Sequence, residues 1–265
     1  ALRWVFHVSL GSEWAADLDW LSLRHLHHGE SYGDEHSVLP GGFSQIARYL
    51  ARNLDIQLGC EVRQIAMLSG SSGGSSGSNN PGGVVAQTNR GEFPADRIVV
   101  TLPLGVLKAG AVRFSPGLPA RKREAIRRLG FGSLEKIVLR FEEQHWPTNT
   151  FAMGFAPRQH ADAMVQEFYS FSAPVGQPVL VGLAGGNAGR KLEASASRGL
   201  RQTMNSLQTM VGRRLPAPIA TDRSTWTSDP YSRGSYSHIA IGASPADFRT
   251  LAESLVMQGH QVDVL

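Results

Sequence analysis

The sequence contains little cysteine and no long apolar segment. Of its 265 residues only Cys60 is a cysteine, so no disulfide can form within the chain, which suits a reducing compartment such as the cytosol or nucleus. We predict that Cys60 is a small buried strand residue. No apolar run approaches the roughly 20 residues that span a bilayer, and the N-terminal residues lack the layout of a signal peptide. These absences argue against a disulfide scaffold and a membrane-spanning helix.

An excess of charge of one sign is also lacking. The formal net charge is +4, and the composition, 42% hydrophobic and 18% charged, is typical of a globular protein. Much of the positive charge falls on a short predicted helix near residues 120–128. No aromatic residues interleave with these cations, which favours a solvated helix face over a nucleic-acid patch. The cations are Arg121, Lys122, Arg123, Arg127 and Arg128.

Two common catalytic motifs are missing. The Gly/Ser tract at 69–83 follows a predicted strand, but it has no G-x-G-x-x-G and no helical pattern after it. We therefore predict a flexible hairpin loop there rather than a dinucleotide-binding loop. No G-x-S-x-G occurs either, so a serine hydrolase has no support.

The apolar periodicity predicts mixed helices and strands without regular βαβ alternation. Phe43, Ile46 and Leu50 share a helical face, and strands are predicted around Ile56, Leu58 and Val62–Ile65. Residues 84–108 and 221–242 are each predicted to form a strand, a turn and a strand. Single strands are predicted at 134–141, 165–172 and 178–186, and a helix at 193–215. The last residues, QVDVL, have a strand pattern without an evident partner. This order predicts a mixed-sheet α/β or α+β fold.

Residues 25–36, HLHHGESYGDEH, contain histidines and carboxylates but no recognised zinc spacing, so we predict no metal site. The carboxylates Glu30, Asp34 and Glu35 could instead attract a cationic substrate.

Lys136 lies in the predicted strand 134–141. Ile137, Leu139 and Phe141 form its apolar face, whereas Lys136 is on the opposite face, which predicts solvent exposure unless that face lines a cavity. Near the C-terminus, Trp226, Tyr231 and Tyr236 surround a turn rich in Pro, Gly and Ser. Converging aromatics of this kind can hold an ammonium ion by cation–π attraction.

Four stretches together resemble one protein family: PGGFSQIARYLARNLDIQLGCEVRQI at 40–65, TLPLGVLK at 101–108, LGFGSLEKIVLRF at 129–141 and WTSDPYSRGSYSHIAIGAS at 226–244. They resemble the flavin-dependent amine oxidases, especially lysine-specific histone demethylases of the plant type, in the same order along the chain. The family fold interleaves an FAD domain with a mixed-sheet substrate domain. The resemblance implies substrate-domain segments at 1–35 and 133–244, and FAD-domain segments at 36–132 and 245–265.

The resemblance also implies roles for individual residues. Lys136 matches the lysine that holds a water at flavin N5, and Trp14 matches a position that lines the substrate cavity. An aromatic cage beside the flavin is matched by Trp226, Tyr231 and Tyr236, of which Trp226 would contact both the substrate and FAD. Further FAD contacts are matched by Val62, Thr101, Leu102 and Pro103.

The activity implied is FAD-dependent oxidative demethylation of methylated lysine in a nuclear protein, with a polyamine oxidase as the alternative. A corepressor partner would bind outside this chain. The family's Gly-rich FAD loop and its C-terminal flavin motif match no segment here, so we expect the chain to be a fragment that alone is inactive. A catalytically silent fragment that only binds a partner is a third possibility.

Overall fold

The computed structural model describes residues 2–26, 38–68, 83–154, 156, 163–257 and 260–264. The helices are α1 (Leu2–Phe6), α2 (Ser44–Leu50), α3 (Leu104–Lys108), α4 (Ala120–Arg128), α5 (Ser172–Val175), α6 (Gly186–Ala194), α7 (Ala196–Val211) and α8 (Pro245–Ala252). The strands are β1 (Val62–Leu68), β2 (Gly83–Thr88), β3 (Gly91–Ala95), β4 (Arg97–Val100), β5 (Arg113–Ser115), β6 (Gly130–Phe131), β7 (Leu134–Arg140), β8 (Ala152–Gly154), β9 (Glu167–Ser170), β10 (Val179–Gly185), β11 (Ala220–Arg223), β12 (Ser237–His238), β13 (Leu255–Met257) and β14 (His260–Val264).

The chain divides into two compact units. The first comprises Ala1–Arg48 and Phe131–His238, and the second comprises Tyr49–Gly130 and Ile239–Leu265. The predicted mixture of helices with mixed sheets is confirmed. Among the described residues, no helix combines the length and apolar character needed to cross a membrane.

The first unit contains a five-stranded antiparallel sheet in the order β11-β7-β10-β9-β8. Side chains along β7 alternate as predicted, since Ile137 and Leu139 are buried while Lys136 and Arg140 are exposed. The buried face packs in a core with α6 and α7 residues, and Leu207 of α7 is fully buried. The other predicted core positions of α7, Leu200, Met204, Met210 and Val211, pack against this core.

Helix α6 is an element that the apolar pattern did not predict, because its sequence GNAGRKLEA contains two glycines. Gly189 is needed where the helix approaches the sheet, since a Cβ there would lie 2.6 Å from the Ala184 carbonyl oxygen. Close packing against β10 therefore overrides the weak helix propensity of glycine.

The second unit contains a mixed sheet in the order β3-β2-β1-β5, in which β1 is antiparallel to β2 and parallel to β5. The predicted hairpin around the Gly/Ser tract is confirmed by the pairing of Leu68 with Gly83. Residues 69–82 of the tract lie outside the described residues. A three-stranded sheet, β13-β14-β4, gives the C-terminal strand two neighbours, so the expectation that QVDVL has no partner was wrong.

Three further expectations for residues 43–61 are corrected. No strand forms at Ile56 or Leu58, which are 51% and 78% exposed in irregular chain before β1. Cys60 is half-buried in that irregular segment rather than buried in a strand. Helix α2 forms as predicted, but Phe43 and Leu50 of its apolar face remain 67% and 66% exposed. Local alternation alone did not determine burial here.

The predicted solvated face of α4 also needs correction. Lys122 is fully buried, and its Nζ donates to the Leu251 carbonyl at the end of α8 at 2.5 Å. Arg128 donates to Asp247 Oδ1 at 2.6 Å, and the other Asp247 oxygen accepts from the Ser244 backbone at 2.8 Å in a capping box. The α4 cations therefore bind both ends of α8, where carbonyls and a capping carboxylate are available.

Candidate functional site

Lys136 lies on the exposed side of β7, an interior strand between β11 and β10. Its backbone is fixed, because its N–H donates to Ser224 Oγ at 2.7 Å and its carbonyl accepts from the Ser224 N–H at 3.0 Å. Among the described residues, none forms a hydrogen bond or ion pair with the Lys136 ammonium group. The ammonium group is thus available to a ligand or water on this face of the sheet.

Glu135, the neighbour of Lys136, points to the opposite side and is fully buried. Its Oε2 accepts from Ser224 Oγ at 2.6 Å and from the Trp226 N–H at 3.3 Å. Its Oε1 accepts from Thr227 Oγ1 at 3.3 Å and from Ser133 Oγ at 3.4 Å. Burial raises the pKa of the Glu135 carboxyl, and these hydrogen bonds oppose the shift without cancelling it.

Glu193, from α6, is a second carboxylate beside the same chain segment. It accepts from the Ser228 N–H at 2.8 Å and from the Thr227 N–H at 3.2 Å. Burial tends to raise the pKa of Glu193, but hydrogen bonds from Ser228 and Thr227 outweigh it and the pKa is lowered. The two carboxylates together bind the segment that links β11 to the predicted aromatic residues.

Trp226 lies within this segment and Tyr231 on the turn that follows it, with 42% and 66% of their surfaces exposed. The Trp226 carbonyl accepts from the Gly234 N–H and from Ser232 Oγ, both at 2.8 Å. Gly234 has φ +143°, and a Cβ there would lie 2.5 Å from the Phe131 ring, so glycine is required. The turn therefore has a fixed backbone and presents two aromatic rings.

The turn at 226–235, here called the aromatic turn, is joined by Tyr236 to the N-terminal segment that contains Trp14. Its hydroxyl donates to the Ser12 carbonyl at 2.5 Å, and burial, with the carboxylates of Glu13 and Glu167, raises its phenol pKa. Trp14 itself is half-buried. The phenol is therefore neutral at physiological pH, and its proton is used in a structural hydrogen bond to Ser12.

Gly132 explains why the N-terminal segment can pack here. A Cβ at this position would lie 2.2 Å from the Ala15 carbonyl oxygen. That oxygen accepts from the Ser133 N–H at 2.8 Å, and the Gly132 N–H donates to the Tyr236 carbonyl at 2.8 Å. The GFGS stretch thus brings the Trp14 segment, Tyr236 and β7 together.

Glu167 on β9 is another buried carboxylate of this unit, only 5% exposed. Its Oε2 accepts from the Tyr169 hydroxyl at 2.9 Å, whereas its Oε1 has no hydrogen-bond partner among the described residues. Burial and this carboxylate raise the pKa of Tyr169 to about 12. Glu167 also contributes to the raised pKa of Tyr236, so its charge acts on two phenols of this unit.

The remaining predicted cofactor contacts belong to the second unit. Val62 begins β1 and pairs with Thr88, and it is half-buried. Thr101 is exposed before α3, whereas Leu102 and Pro103 are half-buried, Pro103 being the residue that precedes the helix. Their predicted role in binding FAD stays a prediction.

Most of the histidine-rich stretch, residues 27–37, lies outside the described residues. In the part of the chain that is described, no group of three or more His, Cys, Asp or Glu side chains could hold a metal ion.

Sequence reasoning missed the two carboxylates, Glu135 and Glu193. The sequence did contain a signal for Glu135, because it alternates with Lys136 and so shares the buried face of β7 with Ile137 and Leu139. Glu193 had no comparable signal, since α6 itself was not predicted.

The chain matches the family model described as flavin containing amine oxidoreductase over residues 5–261, and it belongs to that family. It is 36% identical over 259 residues to "Lysine-specific histone demethylase 1 homolog 3" of Arabidopsis thaliana, covering 94% of this chain and 16% of that protein. It is 34% identical over 250 residues to "Lysine-specific histone demethylase 1 homolog 1" of Oryza sativa subsp. japonica, covering 91% and 28%. The chain therefore spans less than a third of the length of these relatives.

Solved structures of amine oxidases have the same fold. Putrescine oxidase bound to putrescine matches with a TM-score of 0.64 at 20% identity, covering 84% of this chain and 46% of that one. Cyclohexylamine oxidase from Brevibacterium oxydans IH-35A matches with a TM-score of 0.65 at 18% identity, with the same coverage. At these identities the comparison establishes the fold.

Proposed function

We propose that the chain forms part of an FAD-dependent amine oxidase that demethylates methylated lysine, with the histone H3 tail as its substrate. The observation that carries this proposal is Lys136, whose ammonium group is exposed and unpaired among the described residues on the strand that anchors the aromatic turn. The relatedness to histone demethylases over nearly the whole chain supports the choice of substrate.

The residues of the first unit fit a flat aromatic cofactor and a cationic substrate. Trp226 and Tyr231 offer exposed rings, and each ring can attract an ammonium group with about 0.5 to 2 kcal/mol, depending on desolvation. When bound, FAD would supply the two-electron acceptor, at N5, for hydride loss from the N-methyl carbon of the substrate. Hydrolysis of the resulting imine would give formaldehyde and the demethylated lysine, and reoxidation by oxygen would give hydrogen peroxide.

In this proposal Lys136 orders a water molecule next to the cofactor, and Trp226, Tyr231 and Tyr236 enclose the amine. Trp14 lines the approach of the substrate. Aromatic walls exclude water and so favour the neutral amine, whose lone pair must be available for the carbon–hydrogen bond to break. Tyr236, fixed to the Ser12 carbonyl, acts as a neutral wall rather than as an acid or base.

The second unit is proposed to contribute to the FAD-binding domain, with Val62, Thr101, Leu102 and Pro103 in contact with the cofactor. The first unit is proposed to be the substrate domain. Nuclear localisation, and a corepressor that binds outside this chain, follow from the histone substrate and are part of the same proposal.

The test uses the purified protein, examined for a visible flavin band. With FAD bound, we expect release of formaldehyde and hydrogen peroxide from a methylated histone H3 peptide, and little turnover of putrescine or spermidine. Preferential turnover of the polyamines would support the polyamine oxidase instead. A colourless protein that FAD does not reconstitute would support a silent binding module.

The role of Lys136 is tested by Lys136→Met. We expect flavin reduction or reoxidation to slow by about 10²-fold or more while FAD stays bound, because an ordered water near the reacting atoms is lost. Arg140→Met is the matched control, since Arg140 is an exposed cation on the same face of β7. Equal kinetics in the two variants would contradict the role of Lys136.

A further inference from the structure

The strongest unexplained feature is the set of hydrogen bonds that hold the segment Ser224–Ser228. Three successive backbone N–H groups, those of Trp226, Thr227 and Ser228, donate to buried carboxylates: the first to Glu135 and the next two to Glu193. The hydroxyls of Ser224 and Thr227 donate to Glu135 as well. Carboxylates here replace the carbonyl acceptors that a strand or helix would supply.

Two carboxylates close to one chain segment repel each other and lose hydration. Among the described residues, Arg223 donates to the backbone carbonyls of Leu192 and Glu193, and no ion pair to either carboxylate is formed. An ionised carboxylate is an acceptor at both oxygens, whereas an amide has one acceptor oxygen. Both oxygens of Glu135 and both oxygens of Glu193 accept here, so an amide in place of either would leave donors of the segment unpaired.

These hydrogen bonds fix the backbone of Trp226. Its N–H is held by Glu135 and its carbonyl by Gly234 and Ser232, so the backbone is fixed on both sides while the side chain remains 42% exposed. An exposed aromatic residue on a fixed backbone is arranged in advance for a ligand, which reduces the entropy lost on binding.

We propose that Glu135 is a positioning residue that, with Glu193, fixes Trp226 in the orientation in which it meets its ligand. That the ligand is an amine and a flavin rests on the function proposed above, whereas the fixing of Trp226 does not. Glu135 has no part in the chemistry itself, because it is buried on the opposite side of β7 from Lys136.

The test follows acrylamide quenching of Trp226 fluorescence. The contribution of Trp226 is isolated by subtracting the signal of Trp226→Phe, in the unsubstituted chain and in Glu135→Gln. We expect the quenching constant of Trp226 to rise about twofold in Glu135→Gln, because the amide leaves donors of the segment unpaired and the turn opens more often. Glu142→Gln, an exposed carboxylate just after β7, is the control and should leave the constant unchanged.

An unchanged quenching constant in a folded Glu135→Gln chain would overturn the proposal, as would an equal rise in Glu142→Gln. If Glu135→Gln does not fold, Ser224→Ala and Thr227→Val are used instead, since each removes one hydroxyl that donates to Glu135. A rise in the quenching constant of Trp226 in these variants supports the positioning role, and an unchanged constant refutes it. In the flavin-loaded protein, Glu135→Gln should raise KM for the amine more than it lowers kcat. Failure of every variant, and of the unsubstituted protein, to bind FAD would refute the proposed function without affecting the quenching result.

Discussion

Glu135 in the first unit and Lys122 in the second are both fully buried charged side chains, but their surroundings differ. Lys122 donates to the carbonyl of Leu251 and so joins α4 to the end of another helix. Glu135 accepts from hydroxyls and a backbone N–H of an irregular segment. Buried charge in the second unit therefore holds helices together, whereas in the first unit it orders a turn that presents aromatic side chains.

Removing Lys122 should have the largest effect. Lys122→Ala leaves a cavity and an unpaired carbonyl, so we expect a loss of about 4 kcal/mol in the free energy of unfolding. Arg121→Ala is the control on the same helix; its ion pair with Glu253 is exposed, and its loss should cost less than about 1 kcal/mol. Urea unfolding followed by circular dichroism measures both variants. Similar losses in their free energies of unfolding would contradict a large stabilising contribution from the buried Lys122 side chain.

The second prediction concerns Asp247, which caps α8 and binds Arg128. Asp247→Ala removes the cap and leaves the half-buried Arg128 guanidinium with only its longer ion pair to Glu124 at 3.6 Å, so we expect a loss of about 3 kcal/mol. Asp247→Asn keeps one acceptor oxygen and should lose less. Thermal unfolding at neutral pH compares the two, and equal losses would contradict the double role of this carboxylate.

A smaller effect is expected from the pH dependence of Glu135. The pKa of Glu135 is raised above its ordinary value of 4.5. Its contribution to stability is therefore fully present below the ordinary pKa and is lost as pH rises through the raised pKa. The stability of the unsubstituted chain relative to Glu135→Gln should therefore fall as pH rises above the ordinary carboxyl pKa of 4.5. Urea unfolding across this range measures the difference, and a flat profile would argue against a raised pKa.

Glu193 should give the opposite slope, although it binds the same segment. Its pKa is lowered by hydrogen bonds that outweigh burial, so its contribution is present above the ordinary value of 4.5 and is lost as pH falls through the lowered pKa. The stability of the unsubstituted chain relative to Glu193→Gln should therefore decrease on acidification. The same unfolding series provides the measurement, and slopes of one sign for both carboxylates would contradict their different surroundings.

Local patterns predicted a large part of the fold. The strand at 134–141, the hairpin around 69–83 and the apolar face of α7 follow from periodicity and turn residues, which act over a few neighbouring positions. Helix α6 was missed because its glycines disfavour a helix in isolation, and the strand at Ile56 and Leu58 was wrong because alternation there has no neighbouring strand to pair with.

Roles for individual site residues came only from the resemblance, and they stay predictions. The resemblance proposed Lys136, Trp14 and the aromatic residues, and the structure places the Trp14 segment, Tyr236 and β7 together through Gly132. The carboxylates that hold the turn could not be predicted, because Glu193 and Thr227 are far apart in sequence and meet only through the packing of α6.

By itself, the sequence determined the alternation of β7, the order of the family motifs and membership of the flavin-containing amine oxidoreductases. Only the tertiary structure decided that Lys122 is buried and that Glu135 and Glu193 accept hydrogen bonds from the same segment, Ser224–Ser228. The physical reason is that periodicity fixes which face a side chain lies on, whereas the partners that satisfy a buried charge come from distant parts of the chain and exist only once it has folded.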